Sequence, residues 1–130
     1  MSIPATHTAP ERAAQLQSPI ESHDAELRSI GFVSTFPPTK CGLATFTASL
    51  ARVLARTCRV GVVRCVDEPG VTPGAPEVVA EWVRGSDRSV ETAAHVLRDY
   101  DAVIVQHEFG VYGGADGADV LELVARLAPP

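Results

Sequence analysis

Several things are scarce in this sequence. It has a single lysine, Lys40, among eleven basic residues, and acidic residues outnumber basic ones to give a net charge of −5. A general nucleic-acid binder needs a basic surface to neutralise phosphates, so that class is excluded. There are only three cysteines, Cys41, Cys58 and Cys65, with no C-x-x-C pair. That excludes a disulfide framework and a cysteine-based zinc site. The four histidines, His7, His23, His95 and His107, are scattered, so no metal site is expected. No run approaches the roughly 18 apolar residues of a membrane helix. Nor does a basic segment followed by an apolar core mark a secretory signal at the start. Reduced thiols and no membrane segment together point to a cytoplasmic protein. Two phosphate signatures are also missing: there is no G-x-x-x-x-G-K-[ST] and no G-x-G-x-x-G after the first strand.

What remains is the pattern of one globular α/β domain. Hydrophobic residues make up 45% of the 130, enough for a packed core. Residues 1–28 contain no aromatic residue and no glycine. They read as a disordered tail, with a short helix around 10–17 as its one candidate element. The folded part follows over 29–130. Residues 29–34 form a first apolar strand, ended by Pro37 and Pro38. Leu43, Phe46, Leu50, Val53 and Leu54 then recur at helical spacing over 42–56. Residues 59–66 are a second strand, 67–76 a loop with three prolines, and 77–83 a third strand. Ser86 or Asp87 caps a helix running to about residue 99, with Val90, Ala93, Ala94 and Leu97 on its buried face. Residues 101–106 form a fourth strand, apolar throughout at 102–105, which suggests burial on both faces. A glycine-rich loop leads to a last helix capped by Asp116 or Asp119, with Val120, Leu123, Val124 and Leu127 on one side.

Strands alternating with helices predict a Rossmann-like, doubly wound parallel sheet of order 3-2-1-4. In that order strands one and four are neighbours where the winding reverses. Their C-terminal loops, 35–42 and 107–117, then border the crevice in which such sheets bind ligands. The first loop enters a helix N-terminus, which favours phosphate, and Gly42 lets a ligand approach the backbone. Lys40 adds a charge beside it; the plain alternative is an ordinary strand-to-helix turn. His107 can donate to a sugar hydroxyl or a developing oxyanion, act as acid or base, or be satisfied by local backbone bonds. Glu108 can be a base, a hydroxyl acceptor or a cap on nearby N–H groups, the cap being favoured. A nucleophilic Cys41 lacks a partnered histidine and carboxylate. His95 reads as a surface residue.

The two loops together resemble a known group. The stretch from Ile30 to Thr47, IGFVSTFPPTKCGLATFT, looks like the opening of bacterial family 4 glycosyltransferases, which are retaining, GT-B-fold and nucleotide-sugar-dependent. Val103 to Gly117, VIVQHEFGVYGGADG, looks like the fourth-strand signature of the same subgroup. The resemblance covers about residues 29–130. It implies two facing Rossmann-like domains, of which this is the acceptor-side one, and transfer of a hexosyl group to an unknown acceptor that is a sugar, lipid or small molecule. It implies no cofactor or metal: the nucleotide sugar is a substrate. By the resemblance Gly42, aided by Lys40, lies near the donor diphosphate, and His107 near the transferred sugar. Glu108, Gly113 and Gly114 are the candidates for sugar or acceptor contact. The chain is expected to stop where a fifth strand would begin, leaving the C-terminal donor domain to be supplied in cis or in trans, so that the 130 residues alone are expected to be inactive. The other readings are a non-enzymatic flavodoxin-like module that binds a small anion or a partner protein, and an inactive truncated remnant.

Overall fold

The computed structural model describes residues 26–70 and 75–128. The expected short helix at 10–17, and nearly all of the expected tail, lie outside those residues. Within them the elements are β1 (Ser29–Ser34), α1 (Gly42–Leu54), β2 (Arg59–Val66), β3 (Val78–Val83), α2 (Asp87–Leu97), β4 (Ala102–Val105) and α3 (Asp119–Leu127). The four strands form one parallel sheet in the order β3-β2-β1-β4, the predicted order.

Alternation along the strands sends side chains to two apolar layers. Ile30, Phe32 and Val62 pack with Ala51 of α1. Val33, Val63 and Cys65 pack with Trp82, Leu97 of α2 and Leu123 of α3. All four residues expected on the buried face of α2 are buried, and Ser86 caps that helix through its side chain. Between β2 and β3 the register slips at Val62/Val63, and Val79 is left exposed at the irregularity.

Four expectations need correction. The stripe on α1 does not face the sheet as a whole: Ala44, Thr47 and Ala51 are the buried residues, while Phe46 and Val53 are each 57% exposed. Small residues are what the sheet accepts there, and one contact is polar. Thr47 Oγ1 donates to Leu43 O (2.8 Å), so the buried Ser34 Oγ donates to Thr47 Oγ1 (2.8 Å). Second, β4 is half-buried along its whole length rather than buried on both faces, because it forms an edge of the described sheet. Third, neither aspartate caps α3. Ala118 is its N-cap and offers no side-chain bond; Asp119 is the first helical residue, and Asp116 belongs to a single 3-10 turn with φ 53. Fourth, Val124 of the predicted α3 face is exposed, and Val120 and Leu123 carry the burial.

A pair of glycines explains one close approach. Gly31 on β1 and Gly61 on β2 are register partners. A Cβ on Gly61 would lie 1.9 Å from the Tyr100 hydroxyl, and one on Gly31 would lie 2.7 Å from Leu97 Cδ2. The bare strip lets the Tyr100 ring lie against the sheet. Arg59 covers the ring from outside, its guanidinium carbon 4.1 Å from the ring centroid, and it also donates to Asp99 O.

Candidate functional site

The loop from β1 to α1 begins with buried Thr35 and Phe36 and contains a cis Pro37–Pro38 bond. Thr39 N donates to Phe36 O (3.1 Å), closing a tight turn. The chain then enters α1 through Cys41, whose backbone is extended and whose Sγ accepts from Ala44 N (3.3 Å). Thr35 Oγ1 lies 3.2 Å from the same sulfur. Cys41 is therefore the helix cap, a role usually taken by a hydroxyl or carboxamide oxygen. Gly42 is the first helical residue; a Cβ there would meet nothing within 4 Å. Lys40 is exposed and makes no ion pair among the described residues. The N-terminal end of a thirteen-residue helix thus meets solvent with a lysine beside it.

The second loop leaves β4 next door. Gln106 N donates to Val33 O (3.0 Å), extending the β1–β4 ladder by one residue. His107 follows and is exposed. The chain then turns back, with Val111 N donating to Glu108 O (3.2 Å) and exposed Phe109 at the tip. Val111 and Tyr112 re-enter the α2–α3 core. The Tyr112 hydroxyl has one proton and two acceptors, the carbonyls of Val33 and Gln106. It therefore pins the loop to the ends of β1 and β4 at once. Burial, and secondarily the nearby Cys65 sulfur, push its phenol well above its ordinary range, so it remains a donor.

The glycines now have separate reasons. Gly114 takes φ 80 and ψ 177, a conformation open essentially to glycine alone. Gly117 is buried at φ 81, and a Cβ there would lie 3.4 Å from His107 Nε2. His107 rests between that glycine and Tyr112, whose ring centroid is 5.6 Å away. Gly113 faces elsewhere: a Cβ would lie 2.4 Å from Asp119 Oδ2 and 2.9 Å from Arg84 Cγ.

The predicted residues therefore divide. Gly42, Lys40, His107 and Glu108 lie in loops that leave adjacent strands at the same end of the sheet. Gly113 and Gly114 pack against Asp119, and Gly113 also against the Arg84–Gly85 turn after β3. Exposed His95 is on α2, away from both loops. Among the described residues no group of three or more His, Cys, Asp or Glu could hold a metal ion, and all three cysteines are free thiols. No helix among them is long and apolar enough to cross a membrane.

Three features were not predicted. Buried Arg64 of β2 pairs with Glu81 of β3 and reaches Pro37 O (3.5 Å), while Glu81 also accepts from Gly70 N (2.8 Å). This ties the β1–α1 loop to the segment after β2. The Arg64 bond, followed by that from Gly70, holds the Glu81 carboxyl below its ordinary value. Two buried donors, Trp82 Nε1 and Gln106 Nε2, have no partner among the described residues. A cavity of about 320 Å³ opens beside Arg84, between the segments after β1, β2 and β3, and none of the predicted residues lines it. Strand alternation was the one available signal for Arg64, since it places that residue on the same face as Val62.

No family model, curated protein or solved structure matches the chain.

Proposed function

We propose that this domain is the acceptor-side wall of a glycosyltransferase that moves a hexosyl group from a nucleotide sugar to an acceptor. The observation that carries the reading is the pairing of the two motif-bearing loops. They leave β1 and β4, neighbouring strands at the reversal of winding, where open α/β sheets bind ligands. In such a transfer negative charge grows on the departing diphosphate. The N-terminus of α1 and the Lys40 ammonium stabilise that charge, and bare Gly42 admits the phosphate oxygens to the backbone. His107, beside Tyr112 and Gly117, offers an imidazole nitrogen to a sugar hydroxyl. The Cys41 sulfur is occupied as a helix cap and is assigned no nucleophilic role.

Calorimetry with nucleotide diphosphate hexoses and the matching nucleotide diphosphates tests this. Lys40→Ala is expected to weaken both ligand types about tenfold, the loss of one hydrogen bond to a charged group. His107→Ala is expected to weaken only the sugar-bearing ligand. Wild-type affinity in both variants contradicts the reading. Equal binding of inorganic phosphate would mark a simple anion-binding module instead.

A further inference from the structure

The cavity beside Arg84 has a closed neighbour. A crevice lined by Cys65, Trp82, Arg84, Val111, Tyr112 and Gly113 has no room for a water molecule. Cys65 and Arg84 line both spaces. We propose that the Arg84 side chain is a gate between the two. Held by Asp67, it seals the crevice. Released, it joins the crevice to the cavity and admits water to the Trp82 indole.

The other walls are fixed. Cys65 and Trp82 are buried strand residues. Tyr112 is held by its bonds to the carbonyls of Val33 and Gln106, and Val111 is buried in the same core. Arg84 is tethered at its two ends. Its backbone N donates to Val66 O (2.9 Å). Its Nε lies 3.2 Å from Asp67 Oδ1, with 37% and 78% of the two side chains exposed. The stem between passes Gly113, where a Cβ would lie 2.9 Å from Arg84 Cγ. Two opposed effects set the position of the gate. An exposed ion pair contributes little to holding it shut. Against that stands Trp82 Nε1, a buried donor with no partner among the described residues. Such a donor is costly until water reaches it. The closed position is thus held by a weak tether and opposed by an unmet hydrogen bond. The Trp82 ring lies 5.3 Å from that of Tyr112, which in turn neighbours His107. The gate therefore stands between the cavity and the loop that carries His107. Its opening does not depend on the transfer reading above.

Trp82 is the only tryptophan, so its indole N–H gives a single peak of its kind in proton–nitrogen spectra of the full chain. Hydrogen exchange at that peak reads the gate. In the wild type the indole is expected to exchange faster than the amides of β1 and β2, which open only with the fold. Asp67→Asn removes the tether and is expected to speed indole exchange about two- to fivefold, the full contribution of an exposed ion pair. Sodium chloride at about 1 M should do the same to the wild type by screening that pair. Arg84→Ala removes the gate and should give the fastest exchange, insensitive to salt. The β1 and β2 amides should keep their wild-type rates throughout, which separates opening from a loss of stability. The proposal is overturned if the indole exchanges no faster than those amides. It is equally overturned if salt leaves the wild-type rate unchanged, or if Asp67→Asn and Arg84→Ala do.

Discussion

Replacing Gly61 by alanine tests how α2 and the turn after it are seated on the sheet. The new Cβ would lie 1.9 Å from the Tyr100 hydroxyl and 2.6 Å from Cζ, far inside any non-bonded contact. The ring must lift, and its contacts with the glycine strip and with Arg59 go with it. Overpacking of this kind costs about 1–3 kcal/mol. Removing a glycine from the unfolded chain returns roughly 0.4–1 kcal/mol. The net expectation is a loss of about 1–2 kcal/mol, or a fall in Tm of roughly 4–8 °C for each kcal/mol in a domain of this size. Gly31→Ala should cost less, because its nearest obstacle is the end of the Leu97 side chain at 2.7 Å. Thermal and urea melts measure both. The decisive control is Tyr100→Ala: with the ring gone, Gly61→Ala should become neutral or mildly stabilising. If it costs as much without the ring as with it, the ring is not what the glycine accommodates.

Further expectations concern the loops. Tyr112→Phe removes the proton that ties the glycine-rich loop to β1 and β4; it should cost about 1 kcal/mol and speed amide exchange from His107 to Tyr112. Glu81→Gln should cost about 1–2 kcal/mol, the loss of charge-assisted bonds at a partly exposed carboxylate, and should flatten the acid limb of the stability profile. The Glu81 carboxyl titrates lower in the folded chain than its ordinary 4.5. Its contribution is therefore complete above that value and is lost as pH falls through the folded value; an unchanged acid limb in the variant contradicts this. Gly113→Ala should cost about 1 kcal/mol or more, since Arg84 Cγ and the backbone N of Gly85 crowd the new carbon, and melts read it directly.

The strand order was legible because strands alternating with helices imply a parallel sheet with right-handed crossovers, and the buried face of α2 because its apolar residues recur at 3.6-residue spacing. The face of α1 was not. Periodicity weights large side chains, whereas this helix buries Ala44, Thr47 and Ala51 and joins the sheet through the Ser34–Thr47 hydrogen bond. The exposure of β4 follows from its place at a sheet edge, which an apolar run alone does not disclose. In the candidate site, the two loops could be located from strand order and glycine placement. The placing of His107 beside Tyr112 and Gly117 could not, because it depends on how residues 108–117 fold back. The cavity was hidden for a similar reason: Thr35, Asp67 and Arg84 come from three separate segments, and only the folded sheet brings them together.

The central claim is that the loops after β1 and β4 form one ligand site. Proton–nitrogen correlation spectra of the chain titrated with a nucleotide diphosphate hexose at millimolar concentrations test it most directly. The account predicts that amides from Lys40 to Leu43 and those of His107 and Glu108 shift along one saturation curve. Shifts confined to one loop, different curves for the two, or no shift at either would contradict it.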